Sequence, residues 1–222
     1  MTARLKKFLE LMQPYLTTAN LKNDLIDRFL DSEKMYEDLR NAGYPDNLTF
    51  PHTTAYINAL KPLPDDFIAI VIKWLPNLKH KEIAIDFLRE AEHKYDGQVL
   101  IPIFIDGDFT VKWNIADAIA YNPPLGINEW VKETYLSAQY DQEAGLLALA
   151  IIKMFQKEEA IGIIKQGFDL HPEVAPEALG KVGGIKEIGF LEGKSKLPYK
   201  AKFIYKEIEK AIKKIKKRCK SS

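Results

Sequence analysis

The sequence predicts an all-α protein built as a solenoid of stacked antiparallel helix pairs. Apolar residues recur at helical spacing along nearly the whole chain, and one helix pattern returns about every thirty residues. The one β-branched run, 99–105, contains Pro102 and has helical neighbours, which favours a buried helix over a strand. A returning helix that cannot bury its apolar face alone is typical of an array in which each unit packs on the next.

The helix pattern is clearest in the segment 108–120. Asp108 can accept hydrogen bonds from the free amides of a helix start. The apolar residues after it fall at i, i+4, i+7 and i+8 and share one narrow face: Val111, Ile115, Ala118 and Ile119. The small side chains on this face allow another helix to approach closely.

The same pattern sets a period when Val111 is taken as its anchor. Comparable segments place their anchors at Ile83, Ala144, Val174 and Ala201, so that the successive intervals are 28, 33, 30 and 27 residues. Each interval has room for one returning helix and two short turns. The period therefore predicts helix–turn–helix units that lie side by side.

Helical spacing bounded by Gly, Pro, Asn and Asp predicts a helix in each of fourteen segments. They are 2–16, 20–30, 33–41, 51–60, 64–75, 80–94, 98–105, 109–121, 127–137, 142–155, 157–168, 172–182, 184–192 and 198–217. We expect one continuous domain, in which residues 1–45 cap the array, residues 46–210 form the repeats and residues 211–222 form a basic tail.

The segment His171–Gly183 closely resembles the second helix of bacterial HEAT-like repeats, with the sequence His-Pro-Glu-Val-Ala-Pro-Glu-Ala-Leu-Gly-Lys-Val-Gly. The segments 108–120 and 141–152 resemble looser copies. The resemblance covers roughly residues 50–210 and implies a right-handed α-solenoid. At the position where the family usually has Arg after Val, this chain has Lys112, Gly145 or Ala175.

One helix of each pair lines a concave face in such a stack. Trp113, Asp117 and Tyr121 lie at i, i+4 and i+8 and form one strip of the helix that we expect on that face. The alternative interpretation is that Trp113 packs against the next repeat and Asp117 is solvated. The complete set of candidate binding residues is Lys112, Trp113, Asn114, Asp117, Tyr121, Trp130, Tyr135 and Tyr140. The main hypothesis is a monomeric, non-catalytic binding or scaffold protein that holds a protein partner there.

A second hypothesis comes from one detail of the resemblance. Some alkylpurine DNA glycosylases are built from HEAT-like repeats and also have a Trp and an Asp at i and i+4 on a concave helix. By that resemblance Asp117 would be the catalytic carboxylate that stabilises positive charge on the sugar, and Trp113 would be an aromatic wall for the lesion. The flanking residues do not match the family well, and an acidic body is unfavourable for contacting phosphates.

The charge distribution supports a third hypothesis, nucleic-acid binding through the C-terminal tail. Residues 210–220 carry seven basic residues and no acidic one, so a chain of net charge +1 has a body of net charge −6. The candidate contacts are Lys213, Lys214, Lys216, Lys217 and Arg218. An anionic membrane surface and an acidic protein are alternative partners. The apolar stripe Ile204, Ile208, Ala211, Ile212 and Ile215 favours instead a packed terminal helix with a solvated lysine face.

Other classes of function have little support in the sequence. The single cysteine, Cys219, excludes an internal disulfide and a cysteine-based metal cluster. The four histidines show no metal-ligand spacing, and the glycines do not follow a strand as a dinucleotide loop requires. We therefore expect no metal, no cofactor, no membrane insertion and a cytoplasmic location.

Overall fold

The computed structural model describes residues 3–13, 19–45, 57, 60–140 and 142–220. All regular elements in these residues are helices, apart from two isolated bridges that pair Leu63 with Ala91 and Asp96 with Leu125. This confirms the all-α prediction. The chain forms two compact units, Met1–Tyr95 and Asp96–Ser222. Within the described part of the chain, none of the helices combines the length and apolarity that crossing a bilayer requires.

The first unit contains the helices α1 (Ala3–Met12), α2 (Ala19–Asn41), α3 (Asp65–Trp74) and α4 (Glu82–Arg89), with a 3₁₀ turn at Leu75–Asn77. Aromatic rings pack between pairs of these helices. Phe8 of α1 lies 4.8 Å from Phe29 of α2, and Phe67 of α3 lies 5.0 Å from Phe87 of α4. Most of the predicted helix 51–60 lies outside the described residues.

Two predicted helix boundaries in this unit are wrong. The segments 20–30 and 33–41 form the single helix α2, because the polar residues between them bond without breaking it. The Ser32 hydroxyl donates to the Arg28 carbonyl one turn back over 2.8 Å, and the Asp31 carboxylate accepts from the backbone amide of His80 over 2.8 Å. The predicted helix 80–94 ends at Arg89, since the Glu90 carbonyl turns to accept from the Leu63 amide.

The second unit contains eight α-helices in the described residues. They are α5 (Leu100–Asp106), α6 (Phe109–Tyr121), α7 (Asn128–Tyr135), α8 (Ala144–Met154), α9 (Lys157–Gln166), α10 (Ala175–Val182), α11 (Ile185–Lys194) and α12 (Lys202–Lys220), with a 3₁₀ turn at Ala138–Tyr140. Each predicted helix from 98 onward has a counterpart, with ends that differ by a few residues. The β-branched run is helical, as its internal proline predicts.

The even-numbered helices of this unit pack in succession, and we call α6, α8, α10 and α12 the even row. α6 packs on α8, α8 on α10 and α10 on α12, while α9 contacts both α8 and α10. The five anchors of the period fall within two residues of the starts of α4, α6, α8, α10 and α12. One α-helix separates each pair of successive anchors, as the period predicts.

Small residues allow close approach within the even row. A Cβ on Gly180 of α10 would lie only 3.1 Å from the Cα of Ala211 in α12. A Cβ on Gly145 of α8 would lie 3.3 Å from Cγ1 of Val174, the residue that precedes α10. Both distances are shorter than most Cβ contacts, so larger side chains at these glycines would push the helices apart.

Candidate functional site

Helix α6 begins as its sequence predicts. The Asp108 carboxylate accepts a hydrogen bond from the backbone amide of Val111 over 3.0 Å, which caps the helix start. Ile115, Ala118 and Ile119 are fully buried, and Val111 is half-buried. The opposite side of α6 carries exposed aromatic rings, so this helix places apolar surface in solvent as well as in the core.

Trp113 lines an open groove of about 220 Å³ on the even row, which we call the Trp113 groove. The indole is 42% exposed and comes from α6. The other lining residues come from α8, α10 and the residues just before these helices, and are Gln142, Gly145, Leu146, Leu149, Val174, Glu177 and Ala178. The lining is mostly apolar, and Glu177 is paired with Lys181 one turn further along α10 over 3.2 Å.

A more polar pocket of about 440 Å³ lies beside the groove and shares Gln142 with it. We call it the Tyr140 pocket, and its other lining residues are Phe109, Lys112, Gln139, Tyr140 and Glu143. The ammonium of Lys112 lies 5.7 Å from the centre of the Tyr140 ring, within the range of a cation–π contact. The described lining of this pocket therefore combines aromatic faces, amide groups, one cation and one carboxylate.

The residues of the predicted strip on α6 lie in different surroundings. Trp113 opens into the groove, whereas Asp117 and Asn114 are half-buried. Tyr121 is exposed, and Lys153 donates to its carbonyl oxygen over 2.9 Å while the Lys153 ammonium lies 5.8 Å from the ring centre. The described lining of the Trp113 groove includes Trp113 but neither Asp117 nor Tyr121.

Two of the other predicted aromatic residues have packing roles. Tyr135 is fully buried, its ring lies 5.1 Å from that of His171, and burial raises the pKa of its hydroxyl. Tyr135 therefore belongs to the core rather than to a binding surface. Trp130 is half-buried with its ring 5.1 Å from Phe104, while Tyr140 contacts the same Phe104 and also lines its pocket.

The predicted basic tail is part of the long helix α12. Its apolar stripe is buried at Ile204, Ile208, Ala211 and Ile215, as a packed terminal helix predicts. The guanidinium of Arg218 donates to the carbonyl oxygens of Gly180 at 3.1 Å, Lys181 at 2.7 Å and also Gly183, at the end of α10. Arg218 thus caps α10. The Lys216 ammonium lies 3.8 Å from the Glu192 carboxylate. Lys213, Lys214 and Lys217 are exposed.

Sequence reasoning missed most of the groove. Leu146 and Leu149 lie in α8, whose sequence Ala-Gly-Leu-Leu-Ala-Leu-Ala-Ile-Ile is apolar all round and gives no periodicity from which to choose a face. Sequence reasoning also missed Glu143, which lines the neighbouring Tyr140 pocket, although it is a carboxylate directly before such an apolar run. In the described residues, no group of three His, Cys, Asp or Glu side chains is arranged to hold a metal ion.

Comparison with known proteins gives no assignment. No protein-family model matches the chain, and neither the curated proteins nor the solved structures contain a significant match.

Proposed function

We propose that this chain is a non-catalytic binding protein that holds a segment of a protein partner in the Trp113 groove. The observation that carries the proposal is a 42% exposed tryptophan in an apolar groove formed by successive helices of the even row. Tryptophan is among the residues that most often dominate binding energy when a partner covers them. An exposed indole also has a cost in water, which a partner would remove.

The size of the groove favours a side chain of a larger partner over a small ligand. Pockets for drug-sized molecules typically have volumes of about 300–1,000 Å³. The Trp113 groove, at about 220 Å³, lies below that range and is open to solvent. We infer that one apolar side chain of the partner enters between Trp113, Leu149 and Val174, and that the rest of the partner covers the surrounding surface.

The architecture in this proposal is a right-handed α-solenoid of HEAT-like helix pairs. Two findings support it: the anchors recur at the starts of alternate helices, and the even row packs each helix on the next. In such a stack each unit contributes one helix to a continuous binding face. Trp113, Leu149 and Glu177 would then be contributions of three successive units to one face.

The test begins with a photo-crosslinking residue at Leu149, which identifies the partner by contact with the groove itself. The partner is then purified and titrated against the intact chain, Trp113→Ala and Phe203→Ala. Phe203 is a matched control, because it is also an exposed aromatic residue but lies on α12 and is not one of the described lining residues of the groove. We expect Trp113→Ala to weaken binding by about thirtyfold or more, as loss of a hot-spot side chain does, and Phe203→Ala to change it little.

Two results would overturn the proposal. One is equal binding of the partner by Trp113→Ala and the intact chain. The other is release of base from alkylated DNA that Asp117→Asn abolishes, because this would assign Trp113 to a lesion site in a glycosylase.

A further inference from the structure

Glu143 is an acidic residue that is almost fully buried and has no hydrogen-bond or ion-pair partner among the described residues. The residue is 4% exposed and precedes α8. Its carboxylate makes no hydrogen bond or ion pair with the described residues, and it does not cap the helix that it precedes. It lines the Tyr140 pocket, so a ligand in that pocket could reach it.

The other four buried polar or charged residues, Ser32, Thr134, His171 and Glu187, each make a hydrogen bond, although among the described residues the hydroxyls of Tyr95 and Tyr135 are buried without one. Glu187, which is also an acid, accepts from the backbone amide of Gly184 over 2.7 Å. Thr134, Ser32 and His171 each have a backbone carbonyl as partner within 2.8 Å. Burying a charge without a partner is costly, so an unpaired carboxylate that borders an open pocket is a candidate for pairing with a bound cation.

The surroundings of Glu143 define the chemistry of that partner. A carboxylate calls for a cation, and the aromatic residues Phe109 and Tyr140 offer faces on which a flat cation can stack. The amide oxygens of Gln139 and Gln142 can accept further hydrogen bonds. A guanidinium group satisfies all three requirements, since it is planar, always charged and able to donate two parallel hydrogen bonds to one carboxylate.

We propose that the Tyr140 pocket binds the guanidinium of an arginine side chain, which pairs with Glu143 and stacks on Tyr140. This proposal rests on the proposed function, because the arginine would belong to the same partner segment that enters the Trp113 groove. Gln142 lines both sites, so neighbouring side chains of one segment can occupy them together. The ammonium of Lys112 now lies over the Tyr140 ring, and the guanidinium would displace it.

The first experiment uses N-acetyl-argininamide as the probe, titrated into the intact chain and followed by amide NMR shifts. N-acetyl-citrullinamide is the matched control, because it has nearly the same shape and lacks the charge. We expect the arginine probe to shift the amides of residues around Glu143 and to bind about tenfold or more tightly than the citrulline probe.

Glu143→Gln should remove that preference, and Lys112→Gln should strengthen binding because it removes a competing cation. Phe203→Ala, which lies outside the described lining of both sites, should leave binding of the arginine probe unchanged. A thermal melt of Glu143→Gln keeps the result interpretable, since an uncharged amide in a buried site should leave the Tm equal or higher. Equal binding of the two probes, or an undiminished preference in folded Glu143→Gln, would overturn the arginine site.

The two proposals fail separately. If the arginine probe binds as expected but the crosslinked partner binds Trp113→Ala normally, the cation site stands and the groove function is wrong. If Trp113→Ala loses the partner but the arginine probe shows no preference, the partner occupies the groove without an arginine in the Tyr140 pocket.

Discussion

Gly167 shows how strongly a single residue can be constrained by its neighbours in this fold. It ends α9, and a Cβ placed on it would lie 2.5 Å from Cε1 of Tyr135. No real carbon pair comes that close without a shift of one partner. Tyr135 cannot move easily, because its ring is fully buried and packs against His171.

We therefore expect Gly167→Ala to lower the free energy of unfolding by about 1–3 kcal/mol, the usual cost of overpacking a core. Gly162→Ala, within α9, is the matched control. A Cβ at Gly162 would meet nothing within 4 Å, so alanine there should raise stability by up to about 1 kcal/mol through its better helix propensity. Urea denaturation measures both, and equal effects of the two substitutions would contradict the contact between Gly167 and Tyr135.

Local rules predicted single residues well when the partner was nearby in sequence. Asp108 caps α6 by bonding an amide three residues away, and this follows from the residue types alone. The burial of Tyr135 depends on His171, which is 36 residues later, and the pattern within α7 does not reveal it. The exposure of Trp113 and the isolation of Glu143 likewise depend on which helices lie beside α6 and α8.

Helix α12 shows the same contrast for a whole element, between features that follow from its own sequence and features that depend on the helices beside it. Its buried isoleucines follow from their spacing, but the position of Arg218 at the end of α10 depends on how the two helices pack. A helix end leaves carbonyl oxygens without partners and carries partial negative charge, which a guanidinium satisfies. Arg218 therefore contributes to the stability of α10 rather than presenting a free charge.

We expect Arg218→Ala to lower the free energy of unfolding by about 1 kcal/mol, because it leaves carbonyl oxygens of α10 without their charged donor. Lys213→Ala removes a positive charge from an exposed position on the same helix and should change stability by less than about 0.5 kcal/mol. Thermal unfolding of the two variants under identical conditions gives the comparison. If both variants lose the same stability, the effect is one of charge and not of helix capping.

The element boundaries at Gly107, Pro123 and Gly183 followed from the sequence, although α11 continues past the predicted boundary at Gly193 and ends at Lys194. Other predicted boundaries failed where polar residues found partners outside their own segment. Asp31 and Ser32 look like a break between two helices, but their bonds to His80 and Arg28 keep α2 continuous. The predicted spacing of one helix between successive anchors agrees with the structure, because it depends on many positions at once and an error at one junction does not shift the others.

Charge is distributed very unevenly in the second unit when that unit is considered as a whole. Residues 96–193 contain seven basic and fifteen acidic residues, whereas residues 194–222 contain twelve basic and two acidic ones. The proposed binding sites on α6, α8 and α10 therefore lie in the acidic part, which would suit a partner segment that carries an arginine. The basic part is concentrated on α12, with Lys206, Lys213 and Lys220 exposed along one side of the helix.

The basic part should bind nucleic acid in a way that depends on salt and not on sequence or base damage. We expect plain and alkylated DNA duplexes to bind equally at low salt and to dissociate as salt rises, since released counterions supply the binding free energy. Truncation after Glu209 would be a poor test, because it removes the buried Ile215 and the capping Arg218. Replacing Lys206, Lys213 and Lys220 together by Gln keeps the packing and should reduce the salt slope by up to about three.

The matched control replaces three exposed lysines elsewhere, Lys22, Lys157 and Lys186, by Gln, so that the net charge falls equally in both variants. Gel-shift titrations at two salt concentrations measure the affinities. A larger loss in the α12 variant than in the control assigns the binding to this helix. Equal losses would mean that only net charge matters, and a clear preference for the alkylated duplex would point instead to recognition of the lesion near Trp113.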